Sequence, residues 1–263
     1  MNLIPESPAS KKWTVYITTH KNIFPELYSK DSNFNSSNYK FINISSNPLK
    51  ITNQLFHVIN LPKEPGYIPM GDYYYDSRVI YNIYKNQRFY EGLDFIGFLH
   101  YDFEFKLPDG SGNVTKKINK YLRDKTKAHI SFSTHNIQMI YNQRILADEK
   151  QPNTLSGSGY NCIDYILNDY NNYFHTSYTL NDLYQKHDVN MCSCFLIDVH
   201  RFIKMMKFIS SIIESKKLKV FDRQHILKIH GHLLERYFGV FLMLKYDQFL
   251  NLPLPHLGHL KHK

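Results

Sequence analysis

The run Leu93-Asp94-Phe95-Ile96-Gly97-Phe98-Leu99-His100-Tyr101-Asp102-Phe103-Glu104-Phe105 constrains the fold more than any other stretch of the chain. Phe95 to Leu99 is apolar without interruption, too short for a helix, and followed at once by polar and acidic residues, so it reads as a buried strand. In an open α/β sheet ligands bind beyond the carboxyl ends of the strands, which is where Asp102 and Glu104 fall. On an extended chain, side chains two positions apart point the same way, so both carboxylates can face one divalent cation. Two acids at this spacing also occur by chance, and a solvated turn after a core strand remains the alternative.

A chain of 263 residues can bury a full core and is expected to form a single α/β domain. Lysine and arginine outnumber the acids 32 to 23, for a formal charge of +9. That balance suits nucleic acid, an anionic membrane surface or an anionic sugar nucleotide. The basic residues are scattered, with short clusters such as Lys116-Lys117 and Lys216-Lys217, and no nucleic-acid-binding motif stands out, so no nucleic-acid partner is expected. Cys162, Cys192 and Cys194 make neither an even disulfide framework nor a paired zinc motif. Buried free thiols in a reducing compartment are expected, with Cys192 and Cys194 on the same face of one strand. Met1 to Glu6 lacks a basic leader with an apolar core, and no run of about 18 apolar residues exists. The expectation is a cytoplasmic protein with no transmembrane segment, which leaves room for peripheral membrane contact.

Taken in order, Trp13 to Ile17 is rich in β-branched and aromatic residues and predicts a first strand ending at Thr18-Thr19-His20-Lys21-Asn22. Thr18, Thr19 and His20 are therefore candidates to meet a nucleotide, a polar turn being the plainer reading. Phe41–Ile44 and Gln54–Asn60 suggest a second and a third strand. Pro62, Pro65 and Pro69 then impose an irregular connection. Tyr75 to Phe89 turns helical, capped by Asp76 or Ser77, with Val79, Ile80, Ile83 and Tyr84 on one stripe. Arg78 and Lys85 of this helix can reach diphosphate oxygens, although exposed helix charges are commoner.

Leu107 to Gly112 is a turn-rich loop, Val114 to Arg123 has helical spacing, and Ala128 to Phe132 is strand-like. Ser156 to Tyr160 lacks the lysine and spacing of a P-loop and reads as a flexible loop. A short helix begins at Ile163. Asn190 to Ile197 predicts another buried strand, Val199 to Glu214 an amphipathic helix, and Arg223 to Leu244 a last long one. On that last helix His232 and Glu235 stand three apart and share a face, as a metal site, a base with its orienting partner, or a surface ion pair. The tail Pro253 to His262 carries histidines that can close over a metal.

Three of these patches together resemble a family of polysaccharide-locus glycosyltransferases long catalogued as a domain of unknown function. Val15-Tyr16-Ile17-Thr18-Thr19-His20-Lys21 is similar to its first strand ending in Thr-His-Lys. Tyr84-Lys85-Asn86 followed by Asp94-Phe95-Ile96-Gly97-Phe98-Leu99-His100-Tyr101 is similar to its Trp-Lys-Asn and Gly-Leu-Cys-His-Tyr pattern. Gly231-His232-Leu233-Leu234-Glu235-Arg236 resembles its helix with Ala-Glu-Arg. Order and approximate spacing agree over most of the chain. The family usually has Arg-Arg-Tyr after the His-Tyr pair, whereas Asp102-Phe103-Glu104 stands here and resembles the metal and diphosphate site of GT-A enzymes.

The resemblance implies a GT-A, Rossmann-like domain with a central mixed, mostly parallel sheet flanked by helices and a helical C-terminal part. Residues 1–105 would form the nucleotide-sugar half and 106–263 the acceptor half. The expected activity is transfer of a hexosyl or pentosyl unit from a nucleoside-diphosphate sugar, UDP-sugar favoured, to a hydroxyl of a glycan acceptor. Asp102 and Glu104 would hold Mn2+ or Mg2+. Thr18, Thr19, His20, Arg78 and Asp102 would bind the donor, and Glu235 or His232 would serve as catalytic base if the reaction inverts. A non-catalytic sugar-nucleotide or glycan-binding module is the alternative, and a basic nucleic-acid-binding protein a more distant one.

Overall fold

Seven strands form one sheet in the order β3-β2-β1-β4-β8-β5-β9: β1 (Trp13–Thr19), β2 (Tyr39–Asn43), β3 (Val58–Asn60), β4 (Phe95–His100), β5 (His129–Ser131), β8 (Phe195–Asp198) and β9 (Leu250–Asn251). The structure is a computed structural model that describes residues 10–20, 23–45, 56–71, 74, 76–136, 162–186, 188–190, 192–215, 217–218 and 229–256. Neighbours pair in parallel except at β8, which runs antiparallel to both β4 and β5. A small antiparallel pair, β6 (Thr134–Asn136) with β7 (Asp188–Asn190), stands apart from the sheet. The mixed, mostly parallel α/β architecture expected from the sequence is therefore present.

The helices are α1 (Pro25–Tyr28), α2 (Ser77–Lys85), α3 (Val114–Leu122), α4 (Cys162–Phe174), α5 (Leu180–Tyr184), α6 (Val199–Glu214) and α7 (Ile229–Lys245). Strand alternation sorts the core into two layers. Tyr16, Ile96, Phe98, Phe195 and Ile197 point to the face covered by α2, α4, α6 and α7. Val15, Ile17, Phe95, Leu99 and Leu196 point to the other face, against α1 and α3. The uninterrupted apolar run of β4 follows from its place: it lies between β1 and β8 and is covered on both faces. Each such fully buried Phe or Leu contributes roughly 1.5–3 kcal/mol relative to exposure. Gly97 lets β4 and β8 close up, since a Cβ there would lie 2.7 Å from the Phe195 carbonyl oxygen. Asp198 caps α6, accepting from the Arg201 amide at 3.0 Å and from the Tyr246 hydroxyl at 2.8 Å.

Several boundaries differ from the sequence reading. The stretch Asn190 to Ile197 is not one strand: β7 ends at Asn190 and β8 begins at Phe195, with Cys192 and Ser193 in left-handed backbone (φ 58° and 53°) between them. That turn separates the two cysteines, leaving Cys192 half-buried and Cys194 in the core. The helix expected over Tyr75 to Phe89 stops at Lys85, and a single 3-10 turn covers Gln87–Phe89. The third strand spans only Val58–Asn60, and the helix expected from Ile163 runs on to Phe174. The last helix is described from Ile229. Lys21, Gln54, Leu55, the Ser156 to Tyr160 loop, Arg223 and the tail after His256 lie outside the described residues. No helix among the described residues is long and apolar enough to cross a membrane.

Candidate active site

Parallel β1 and β4 end side by side, Thr18 opposite His100, and their ends open into a cavity of about 180 Å³. Thr18 reaches it from β1 and His20 from just beyond that strand, His100 from the end of β4, and Tyr101 and Asp102 from the turn that follows. Asp76, just before α2, closes one side. Cys192 reaches it from the left-handed turn, His232 and Glu235 from α7, and His256 from the C-terminal segment. The site thus joins residues far apart in sequence at the carboxyl ends of adjacent strands, where an open α/β sheet places its ligands.

The chain stops being extended immediately after β4. The Tyr101 amide makes the last rung with β1, donating to the Thr18 carbonyl at 3.1 Å, and the chain turns at Tyr101 and Asp102. Phe103 then bridges His256, and the Glu104 amide donates to the Pro255 carbonyl at 2.9 Å. The two-residue alternation that would have put Asp102 and Glu104 on one face does not extend through this turn. Asp102 lines the cavity and Glu104 is not among its lining residues. His256 lies next to Asp102 instead, its Nε2 3.2 Å from the Asp102 Oδ2 and its ring 4.7 Å from that of Phe103.

Of the other expected residues, Thr18, His20, His232 and Glu235 line the cavity; Thr19 is fully buried and Arg78 lies in the first turn of α2, neither among the lining residues. Asp76, His100, Tyr101, Cys192 and His256 also belong to the lining. A signal for His100 was present in its position at the end of the buried strand. Asp76 was visible only as a helix cap, yet its side chain makes no capping bond and pairs with His100 Nε2 at 3.0 Å. Nothing local in the sequence connects Cys192 or His256 to β4.

α7 is seated by close approach to β7. A Cβ on Gly239 would lie 2.8 Å from both the Asn190 carbonyl oxygen and Val189 Cγ2, so glycine brings helix and strand together. One to two turns earlier on the same helix, His232 and Glu235 reach the cavity, spaced to share a face.

The electrostatics are dominated by burial among mixed charges. Burial works to lower the pKa of His100, but the Asp76 carboxylate, with Glu235 and Asp102, outweighs it and holds the imidazole up at about 9. Asp102 is the converse: burial works to raise it, and the hydrogen bond and charge of His256, with the charge of His100, hold it below its ordinary value. Burial pushes the Glu235 carboxyl up; Arg236 and His100 oppose the rise and Asp76 adds to it. Burial, then Glu235, pushes the Cys192 thiol up to about 12, which keeps it protonated.

One donor set of metal-binding type exists among the described residues: ligand atoms of His100, Asp102 and His256 lie within 4.8 Å of one another. Asp102 Oδ1 is buried without a hydrogen-bond partner among the described residues, a donor-ready oxygen of the kind a cation satisfies. Two imidazoles and a carboxylate fit a first-row transition ion better than Mg2+, which prefers oxygen donors.

Comparison with protein-family models and with curated proteins gives no match. Among solved structures, the apo form of the bifunctional glycosyltransferase WbbM is similar, with a TM-score of 0.60 and 12% identity. The likeness covers 93% of this chain, and this chain spans only 45% of that one. At that identity it establishes the fold alone: the chain shares the fold of the matched part of that protein.

Proposed function

We propose that the chain is a glycosyltransferase that moves a sugar from a nucleoside-diphosphate donor to a hydroxyl of a glycan acceptor. The observation that carries this reading is the cavity at the ends of β1 and β4, which gathers Thr18, Asp102 and Glu235 from three separate elements. The fold it shares with WbbM supports it, and so do the three patches similar to the polysaccharide-locus family. UDP-sugar is the favoured donor.

In this reading Thr18 and His20 meet the nucleotide. Asp102, His100 and His256 form the set able to hold Mn2+ or a like ion; a bound divalent ion supplies Lewis-acid stabilisation of the departing diphosphate. This replaces Glu104 by two histidines in the expected ligand set. His100 must give up its proton to serve as a ligand, and Asp76, 3.0 Å away, is placed to take part in that exchange. Without an ion, the same histidine held up at about 9 is a fixed positive charge facing the leaving group.

Glu235 is the candidate base for an inverting reaction. Burial raises its pKa, which brings it nearer the range where a carboxylate accepts a proton well at neutral pH. His232, on the same face of α7, is the second candidate. A retaining reaction would not need either group in that role.

The test is a thermal-shift screen of UDP-, GDP- and dTDP-sugars with and without Mn2+, followed by a transfer assay on Glu235→Gln. A stabilising nucleotide, lost in Asp102→Ala, is expected. Glu235→Gln should keep that binding while turnover falls by about 10²–10⁴-fold. Nucleotide binding with no turnover in the unaltered chain would point to a binding module. No shift with any nucleotide would overturn the reading.

A further inference from the structure

Away from this site a larger cavity, about 850 Å³, lies between α3, the Leu107 to Asn113 loop and Leu250 of edge strand β9. Lys116, Lys117, Lys120 and Lys125 wall it, against Asp109 and Asp124. Val114, Thr115, Ile118 and Leu122 occupy the buried face of α3, so the lysines stand on its outer side. An outer helical face is ordinarily just solvated, but three features set this one apart.

The lysines repel one another. Lys116 and Lys120 are four apart and Lys117 and Lys120 three apart, spacings at which like charges destabilise a helix by roughly 0.2–0.5 kcal/mol per pair. α3 itself contains no acid; Asp109 across the cavity interacts with the Lys117 charge, but none of these three lysines makes a direct ion pair among the described residues, and four lysines face two acids in the wall. Lys116 and Lys117 also lie in the N-terminal half of α3, where the helix dipole already favours negative charge. An anion seated among them would relieve both costs. The third feature is shape: the lysines wall a concavity of ligand size, with the Tyr121 ring beneath Lys125 at 4.6 Å.

A continuous segment joins this cavity to the active site. Leu250 pairs with Ile130; the Leu252 and Leu254 amides then donate to Ser131 and Phe132; and the chain arrives at His256. Six residues of extended chain span at most about 20 Å, within reach of a short oligosaccharide.

We propose that the lysine cavity on α3 binds an anionic stretch of the acceptor glycan, a few sugar units from the point of transfer. Calling that glycan the acceptor rests on the glycosyl-transfer reading above. The concavity fits a chain of sugars, whereas a flat lipid surface would meet a convex or planar patch.

The experiment titrates the full chain with a hexuronic acid oligosaccharide, with a neutral hexose oligosaccharide of equal length, and with anionic phospholipid vesicles, at low and at physiological salt. It is repeated on a combined Lys116→Gln, Lys117→Gln, Lys120→Gln variant, whose exposed changes leave the core untouched. The charged oligosaccharide should bind, weaken with salt, and lose roughly tenfold or more in the variant, while UDP binding stays the same in both proteins. Equal affinity for the neutral oligosaccharide, unchanged affinity in the variant, or binding of the vesicles alone would overturn the proposal. Should the charged oligosaccharide bind as described while no nucleotide binds, the transfer reading falls and this surface stands.

Discussion

His256 Nε2 lies 3.2 Å from Asp102 Oδ2, which ties the C-terminal segment to the end of the central strand β4. The pairing gives Asp102 a neighbour that keeps it ionised and leaves its other oxygen, Oδ1, buried and directed to no protein donor among the described residues. In this arrangement the segment after β9 is a wall of the candidate site, and its contribution can be removed without touching the core, because the His256 side chain is 44% exposed.

His256→Ala is therefore expected to weaken Mn2+ binding by at least about tenfold while leaving the folded structure intact. Asp102→Asn, which keeps shape and removes charge, should weaken it at least as much. A titration of Mn2+ followed by thermal shift, or by the paramagnetic signal of the free ion, measures both. Unchanged affinity in His256→Ala would remove this histidine from the ligand set and leave it as a partner that only orients Asp102.

The closeness of β4 and β8 makes a second prediction. In Gly97→Ala the new methyl group would meet the Phe195 carbonyl oxygen at 2.7 Å and Leu196 Cδ1 and Val15 Cγ2 at 3.0 Å. The first of these is backbone in a paired strand and cannot swing aside, so strand spacing has to change at the centre of the sheet. A loss of about 1–3 kcal/mol in urea unfolding is expected, with weaker nucleotide binding because β4 carries His100 and leads to Asp102. Wild-type stability in this variant would mean that the sheet tolerates a wider gap than the described geometry allows.

These two cases also separate what could be read in the sequence from what could not. β1 was legible from its β-branched and aromatic residues, β4 because a central strand covered on both faces needs uninterrupted apolar side chains, and α6 because its apolar spacing runs unbroken from Phe202 to Ile212. Placing Asp102 and Glu104 on one face assumed that the strand's alternation continues past β4; a turn begins at Tyr101-Asp102, and of the two only Asp102 lines the cavity. The left-handed pair Cys192-Ser193 carried no glycine or asparagine to announce it, so one strand was expected where a turn divides two. Asp76 joins the site through long-range packing that no local pattern encodes, and His256 was visible only as one histidine of a tail able to close over a metal. That Glu235 and His232 share a helix face was legible because three-residue spacing on a helix is a local property; the helix did form, and both side chains line the cavity.

The last prediction concerns stability toward acid and arises outside the site. His129 of β5 is 3% exposed, neither of its ring nitrogens has a hydrogen-bond partner among the described residues, and its ring packs at a tilt against Tyr246 and Phe249, each with centroids 5.1 Å away. Burial lowers its pKa from 6.5 to about 3. Above pH 6.5 the imidazole is neutral in both folded and unfolded chains, and its full stabilisation is present. Below 6.5 the unfolded chain takes up a proton that the folded chain refuses, so stability falls by about 1.4 kcal/mol per pH unit until the folded state protonates near 3. His129→Phe keeps the aromatic packing and removes the titration. Between pH 7 and pH 5 the wild-type chain should lose about 2 kcal/mol relative to this variant in paired urea unfolding curves, the carboxylates common to both cancelling in the difference. Two curves that stay parallel across that range would show that the ring is not held neutral in the folded protein.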